Sequence, residues 1–235
     1  MKFEPALQSA TLIKRYKRFL VDIVKEDHTQ CTIHCANTGA MTGCADSGYR
    51  AFYSTSSNTK RKYPHSLELT QNMQGQLICV NTALANKIVL EALHLNQIPE
   101  LDGYNTITAE VKYGSENSRI DILLSQNQTD KCYVEIKSVT LLGDNHQGFF
   151  PDAVSTRGQK HLRELIEMKQ QGHRAVLLFL VQHQGIQSVK PAAHIDPNYA
   201  LGINAALKAG VEVLCYNTHI SAKEITLNKR LTFSC

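Results

Sequence analysis

The sequence lacks any hydrophobic run long enough to cross a membrane, since a spanning helix needs about 20 consecutive apolar residues. The opening residues Met-Lys-Phe-Glu-Pro also lack the apolar stretch that characterises a signal peptide. We therefore expect a cytoplasmic protein that has no membrane partner.

The chain also lacks a CxxC pair, and its seven cysteines are odd in number and scattered. This pattern argues against a secreted disulfide framework. Cys31 and Cys35 lie on one face of a predicted strand, as small core residues do. A zinc site built from His28, His34 or Cys44 is the weaker alternative.

A strong charge of one sign is absent as well, because 25 Lys and Arg residues against 21 Asp and Glu residues give a net charge of +4. This balance permits nucleic-acid binding through local patches but does not predict it. The chain has no internal repeat and no low-complexity tract. Its 235 residues, 43% of them hydrophobic, are enough for two domains with real cores.

Short strand-like runs at close spacing fill the N-terminal part of the chain. They cover residues 19–24, 31–35, 49–53, 67–70 and 77–80. Five such runs predict a small closed β-barrel. The polar connection at 71–76 predicts a boundary between a barrel domain, residues 1–76, and a second domain, residues 77–235, although 77–80 fits either side.

Two clusters in this part alternate cations with aromatic rings. Basic side chains can neutralise phosphates, and a ring can stack on an unpaired base. On a barrel type that binds oligonucleotides, the clusters predict contacts to DNA or RNA. They consist of Arg15, Tyr16, Lys17 and Arg18, and of Lys60, Arg61, Lys62 and Tyr63.

Two alternating runs around a polar loop, residues 119–124 and 132–137, predict a β-hairpin. If the loop is centred on Gln128, Asp121 lies opposite Glu135. Like charges in that position are destabilising unless a cation offsets them, and Mg²⁺ takes carboxylate and water oxygens. Lys137 follows Glu135 by two residues and so shares its face. The hairpin predicts a metal site with an ammonium group beside it.

An ordinary explanation competes with this one, because Arg119 would pair with Lys137 on the same face. Two acids and two bases could form a solvated ion lattice, and a register slip of one residue would separate the acids. An additional acid has two candidates. Glu91 lies at the edge of the apolar stripe of a helix predicted after Asn81-Thr82, and Glu110 lies on the preceding strand.

A second helix is predicted to begin near Thr156 and to precede a buried strand at 174–182. With Asp121, the Glu135-Ile136-Lys137 triplet and Gln159, this order resembles the core of the PD-(D/E)xK nuclease superfamily. The whole chain resembles the sugar fermentation stimulation protein family of bacteria. The segments that carry this resemblance are residues 36–41, 58–65, 110–114, 118–121, 134–140, 150–154 and 157–162.

The resemblance implies an α/β (α+β) protein, in which an OB-like β-barrel is followed by a restriction-endonuclease-like domain with a mixed central sheet. It implies DNA binding and a proposed regulatory link to sugar (maltose) use. The superfamily's Asp, Glu and Lys correspond to Asp121, Glu135 and Lys137, while Ile120 stands where the motif name has Pro.

Two hypotheses follow. In the first, the protein is a nuclease that uses Mg²⁺ or Mn²⁺, with catalytic residues Asp121, Glu135, Lys137 and Gln159. Asp121, Glu135 and the Ile136 carbonyl bind the metal, with Glu91 or Glu110 as the further acid, and Arg119, Arg157 and Lys160 contact the nucleic-acid backbone. In the second, it is a non-catalytic DNA-binding regulatory protein that kept the nuclease fold. The sequence has no helix-turn-helix signal and leaves a homo-oligomer open.

Overall fold

The computed structural model describes residues 1–235. Alternating apolar and polar residues in the N-terminal part form strands whose apolar side chains meet inside a barrel. Neighbouring strands pair in the order β3-β2-β1-β4-β5, and a parallel pairing of β3 with β5 closes the barrel. The strands are β1 Gln8–Tyr16, β2 Leu20–Lys25, β3 Gln30–Cys35, β4 Arg50–Thr55, β5 His65–Gln71 and β6 Leu77–Cys79.

The barrel differs from the prediction at both ends. Its first strand, β1, was not predicted, because charged residues follow Leu12 and hide the alternation of the buried side chains Ala10 and Leu12. The predicted run at 77–80 forms β6, which extends the sheet from β5 outside the closed barrel. Ile78 of β6 also bridges to His183 of the second domain.

The second domain is built on a mixed six-stranded sheet in the order β15-β14-β12-β9-β8-β7, in which β9, β12 and β14 are parallel. A small sheet, β10-β11-β13-β16, lies beside it. None of the three α-helices is long and apolar enough to span a membrane. The elements are α1 Leu84–His94, β7 Thr106–Tyr113, β8 Ser118–Ser125, β9 Lys131–Val139, β10 Leu141–Leu142, β11 Gln147–Phe150, α2 Thr156–Gln170, β12 Arg174–Val181, β13 Ser188–Pro191, α3 Pro197–Lys208, β14 Glu212–Ile220, β15 Ile225–Arg230 and β16 Thr232–Phe233.

The helices begin close to the predicted positions. Asn81 accepts a hydrogen bond from the Ala83 amide just before α1, and the Ser155 hydroxyl caps α2 at 3.0 Å from the Gly158 amide. The apolar stripe predicted for α1 consists of Leu84, Ile88, Ala92 and Leu95. The first three pack on the sheet, whereas Leu95 lies beyond the helix and is 60% exposed.

The sheet separates two cores. Val134 and Ile136 of β9 pack on the side covered by α1, whereas Tyr133 packs with the buried side of α2 and α3. Because side chains alternate along a strand, Glu135 and Lys137 also point toward α2. Glu135 and Lys137 therefore lie beneath α2 and not on an outer, solvated face of the hairpin.

Contacts over long sequence separations join the two domains. The Met41 amide in the loop after β3 donates to Asp152 Oδ2 at 3.1 Å, and the Cys79 amide donates to the Gln182 carbonyl at 2.8 Å. At the far edge of the sheet, the Phe3 amide donates to the Lys223 carbonyl at 2.8 Å. The loop at 36–41 is thereby fixed against the end of β11.

Candidate active site

The β8–β9 hairpin has the predicted register, with Ile122 opposite Val134 and Leu124 opposite Cys132. The ladder ends at the Ile122–Val134 pair, one residue before the two acids. Asp121 instead turns its carboxylate so that Oδ2 accepts a hydrogen bond of 2.7 Å from the Ile136 amide. The two acids are thus neighbours across the hairpin, but they are not a regular cross-strand pair.

A kink in β8 produces this arrangement. Ile120 packs in the core under α2, whereas Ile122 packs in the core under α1, although residues two apart normally share a face. The partner strand β7 is irregular at the same level, because Glu110 has φ of 57° and is skipped by the ladder. Such irregularities re-aim a side chain, here that of Asp121.

Glu135 is almost fully buried, with 1% of its surface exposed. One carboxylate oxygen, Oε1, accepts a hydrogen bond from Lys137 Nζ at 2.7 Å and contacts His161 Nδ1, while Oε2 has no hydrogen-bond partner. Burial raises the pKa of this carboxyl, but the ammonium of Lys137 and the hydrogen bond to His161 outweigh it and hold the pKa below its usual range. Glu135 is therefore an ionised carboxylate with one unused oxygen.

Asp121 has the opposite balance. Burial and the nearby charge of Glu135 raise its pKa, and the hydrogen bonds from Ile136 and Asn86 offset this only in part. Asp121 is consequently an acid whose charge is poorly compensated in the fold. A divalent cation would compensate it, and the donors present, two carboxylates, are the hard oxygen ligands that Mg²⁺ takes together with water.

The structure brings together fewer of the predicted metal ligands than the sequence suggested. No group of three or more His, Cys, Asp or Glu side chains lies close enough together to hold a metal ion. Glu91 contacts the N-terminal ammonium of Met1, which also binds the Ile225 carbonyl at the opposite edge of the sheet. Glu110 is exposed on the irregular part of β7. Neither acid is brought to Glu135, so the site rests on Asp121 and Glu135.

Gln159 also lies away from the acids, because its side-chain amide donates to Asp196 Oδ1 at 2.9 Å. Asp196 in turn caps α3 through the Tyr199 amide at 2.9 Å. Gln159 thus links α2 to α3, and the α2 residue at Glu135 is His161.

His161 was not identified as a site residue from the sequence. It is 4% exposed, and Arg157 Nε lies 3.4 Å from its Nε2. Its Nδ1 faces Glu135 Oε1 and lies 3.2 Å from Lys137 Nζ, so a proton on Nδ1 is donated to Glu135. The helical spacing of His161 with Leu165 and Met168 could have placed it on the buried face of α2.

The predicted nucleic-acid residues fall into two groups. Arg15 is used internally, because its guanidinium donates to the carbonyls of Arg18, Asn37 and Gly39 at 2.7, 3.0 and 2.9 Å. The Tyr16 hydroxyl likewise donates to Asp22 at 3.0 Å. Four of the eight residues in the two predicted clusters are exposed, and so are two cations of the second domain. These residues are Lys17, Arg18, Lys60, Lys62, Arg119 and Arg157.

The remaining predicted residues are engaged on the surface. Arg61 donates to the Ser66 hydroxyl at 3.0 Å, and the Lys62 ammonium lies over the ring of Tyr63 at 5.6 Å from its centroid. Lys160 contacts the Glu116 carbonyl. Lys62 remains exposed in spite of its contact, whereas Lys160 is only partly exposed.

A cavity of about 210 Å³ opens beside Lys137, at the end of β9. Asn86 of α1 lines it and also donates to Asp121 Oδ1 at 2.9 Å, so the cavity adjoins the two acids. Its far wall includes Asn37 and Asp152. Sequence reasoning assigned no role to these two residues; the only signal was that each belongs to a segment that carries the family resemblance.

Comparisons with known proteins agree with this architecture. The SfsA N-terminal OB domain matches residues 13–80, and the Sugar fermentation stimulation protein RE domain matches residues 83–224. The chain is 62% identical to the sugar fermentation stimulation protein homolog of Pseudoalteromonas translucida (strain TAC 125), covering 99% of this chain and 100% of the relative. It is 58% identical to the homolog of Aliivibrio fischeri (strain MJ11), with both chains fully covered.

A solved structure, that of Pyrococcus furiosus SfsA in complex with Ca²⁺, superposes with a TM-score of 0.88 at 26% identity and covers 100% of this chain and 98% of its own. The predicted fold class, an OB barrel followed by a mixed α/β nuclease-like domain, is confirmed. The chain belongs to the sugar fermentation stimulation protein family.

Proposed function

We propose that the protein is a phosphodiester hydrolase that cleaves DNA with the help of Mg²⁺ or Mn²⁺. The observation that supports this most strongly is the state of Glu135, whose Oε2 is buried without a partner while Oε1 is held by Lys137 and His161. Asp121, with a pKa raised by burial and by that same carboxylate, is the second ligand of a cation that would offset both charges.

The side chains around the two acids have separate roles in this proposal. Asp121, Glu135 and the Ile136 carbonyl would hold the cation, which when bound supplies a Lewis acid that activates water and offsets charge on a phosphate. Lys137 Nζ lies 2.7 Å from Glu135 Oε1, and from there its ammonium can stabilise the charge that develops on a phosphate oxygen. His161 orients Glu135 through Oε1 and leaves Oε2 for the metal.

The Ca²⁺ in the Pyrococcus furiosus structure supports a cation site in this chain. Ca²⁺ and Mg²⁺ are both hard cations that take oxygen ligands. Ca²⁺ tolerates more ligands and longer distances, so the residues that hold it in a relative need not hold Mg²⁺ in the same geometry. In this chain, Asp121 and Glu135 offer the oxygen ligands that both cations take.

The barrel supplies the DNA-binding part of the proposal. Lys17 and Arg18 lie in the turn between β1 and β2, and Lys60 and Lys62 lie in the loop between β4 and β5. These are the two loops through which OB barrels contact oligonucleotides. Because Arg15 ties the first loop to residues 37–40, which adjoin the cavity, a strand bound there can reach Lys137.

A cleavage assay tests this function. End-labelled single-stranded, duplex and branched DNA, with matching RNA strands, are incubated with Mg²⁺, Mn²⁺ or a chelator. We expect cleavage of at least one substrate that needs the metal and falls about 100-fold or more in Asp121→Ala and Lys137→Ala. DNA binding should persist in both variants. The exposed residues Asp130 and Lys208 provide matched controls, Asp130→Ala and Lys208→Ala, which should cleave normally.

One observation favours a second function, that of a non-catalytic DNA-binding regulatory protein related to sugar use, as the names of its relatives suggest. Both oxygens of Asp121 already accept hydrogen bonds, from Asn86 and Ile136, as those of a structural carboxylate would. Binding of DNA without cleavage of any substrate in the panel would support this function and overturn the hydrolase.

A further inference from the structure

The cavity beside Lys137 has features that phosphodiester hydrolysis does not require. At about 210 Å³ it is smaller than the 300 to 1,000 Å³ of usual ligand pockets, so it suits a single ring system. It lies where the barrel loop at 36–41, the start of α1 and the ends of β9 and β11 meet. Asn86, which lines the cavity, donates to Asp121 Oδ1, so an occupant would lie next to the proposed metal site.

Two side chains present fixed hydrogen-bonding groups to this cavity. Asn37 Oδ1 accepts from the Gly39 amide at 2.8 Å, which fixes the side-chain amide and leaves its Nδ2 donor without a protein partner. Asp152 Oδ2 accepts from the Met41 amide at 3.1 Å, which leaves Oδ1 available as an acceptor. A Cβ atom at position 39 would lie 3.0 Å from Asn37 Oδ1 and from Asp152 Oδ2, so a larger residue there would push these two side chains aside by a few tenths of an ångström.

Apart from Asn37 and Asp152, the cavity is lined by five apolar residues, two of them aromatic, and by the polar residues Thr82, Asn86, Lys137, Ser138 and Thr140. Phe150 is held against Tyr199 and Phe179, with ring centroids 5.3 and 5.6 Å apart, and Phe149 is held against His194 at 5.2 Å. Aromatic walls with one fixed donor and one fixed acceptor match the face and edge of a nucleobase. A phosphate next to Asp152 is disfavoured, because the two negative charges would repel each other.

From these groups we propose that the cavity binds one unpaired nucleobase that carries an exocyclic amino group, next to the phosphate that the protein cleaves. The amino group donates to Asp152 and an adjacent ring nitrogen or carbonyl accepts from Asn37. Cytosine fits this pattern, whereas thymine presents a carbonyl oxygen in place of the amino group. The inference rests on the proposed function for the identity of the ligand as DNA.

A second depression continues beyond Phe149 and provides a path for the strand. It has a volume of about 740 Å³ and is lined by Lys190 and His194, with the carboxylate of Asp144 also on its wall. Phe149 and Leu141 line both spaces, so they are neighbours on the surface. A base inside the cavity must leave the helical stack, which is easiest in single strands, at mismatches and at damaged sites.

Base preference can be measured without catalysis. Five-nucleotide strands of deoxycytidine and of deoxythymidine are titrated into the full-length protein by calorimetry, with a chelator present. We expect the wild type to prefer the cytosine strand about tenfold. Asp152→Asn keeps an oxygen for the Met41 amide but presents a donor to the cavity, so it should lose or reverse the preference. The exposed Asp130 gives the control Asp130→Asn, which should retain it.

Equal affinity for the two strands in the wild type would overturn the base pocket, as would an unchanged preference in Asp152→Asn. The wild-type comparison decides the matter even if that variant folds poorly. The outcome is separable from the nuclease question. Base-selective binding without cleavage by the wild type removes only the hydrolase, whereas cleavage without base preference removes only the pocket.

Discussion

Asn86 Nδ2 donates a hydrogen bond of 2.9 Å to Asp121 Oδ1, and this contact connects α1 to the strand that carries the first acid. The α1 residue at the candidate metal site is therefore an amide, whereas Glu91, one of the two acids considered from the sequence, contacts Met1. Together with the Ile136 amide, this contact engages both carboxylate oxygens of Asp121. It makes position 86 a place where the affinity of the site for metal can be changed.

We expect Asn86→Asp to raise the affinity for Mn²⁺ several-fold, because a third carboxylate would join Glu135 and the poorly compensated Asp121. The same change should lower the melting temperature in chelator through like-charge repulsion. Thermal unfolding with and without Mn²⁺ measures both effects. Asn86→Ala is the control, since it removes the hydrogen bond without adding charge. A response of Asn86→Asp to Mn²⁺ equal to that of wild type would place the metal elsewhere.

Asp121→Asn should stabilise the metal-free protein. The pKa of Asp121 is raised in the folded state, so the folded protein binds a proton more tightly than the unfolded chain does. Stability then falls as pH rises between the unfolded and folded pKa values, and it stays reduced at pH 7. In a chain of this size each kcal/mol regained raises the melting temperature by about 2 to 4 °C. A lower melting temperature in chelator at pH 7 would contradict this expectation.

His161 should act by positioning Glu135. We expect His161→Leu to destabilise the protein by about 1 to 3 kcal/mol, because a buried charged acceptor loses a hydrogen bond. His161→Asn keeps a donor near Glu135 and should lose less stability. If the hydrolase proposal holds, cleavage should be restored in part by His161→Asn and not by His161→Leu. Chemical denaturation and cleavage rates together separate a positioning residue from a merely buried one.

We expect the protein to lose stability in acid because of the buried side chain of His183. Burial lowers its pKa to about 4, while an unfolded histidine titrates near 6.5. The unfolded chain therefore binds the proton first, and stability present above pH 6.5 is lost as pH falls toward 4. At pH 5 this group should cost about 2 kcal/mol. His183→Asn keeps an acceptor for the Gly185 amide and cannot titrate, so its stability should change less between pH 7.5 and 5.

Substitutions in the two basic clusters should have different effects, one on stability and the other on DNA affinity. Arg15→Ala removes three short hydrogen bonds to loop carbonyls and is expected to lower the melting temperature. The double change Lys60→Ala, Lys62→Ala affects exposed side chains, so the melting temperature should hold while DNA affinity falls. The slope of log affinity against log salt should drop by about 0.7 per lost contact to a single strand. An unchanged slope would move the DNA path away from the β4–β5 loop.

Local patterns explain what could be predicted from the sequence. The hairpin register followed from alternation on both sides of a polar loop, and its observed pairs include Ile122 with Val134. Helix starts followed from Asn81 and from residues around Thr156, since caps act within a few residues. These features depend on neighbours in the chain, so the sequence contains them directly.

The rest of the site depends on contacts between distant segments. The kink at Asp121 arises where two cores compete for Ile120 and Ile122, which alternation alone cannot reveal. The contact of His161 with Glu135 spans 26 residues, and that of Met41 with Asp152 spans 111. Glu91 was misplaced for the same reason, because its partner is the chain's own first residue.

A crystal structure of the protein soaked with Mn²⁺ tests the cation site most directly. We predict an anomalous peak between Asp121 and Glu135, with Glu135 Oε2 and an oxygen of Asp121 as ligands and Glu135 Oε1 still held by His161. The peak should vanish in Asp121→Asn crystals. Absence of a peak in the wild type, with Asp121 still bound to the Ile136 amide, would contradict the metal site and the hydrolase built on it.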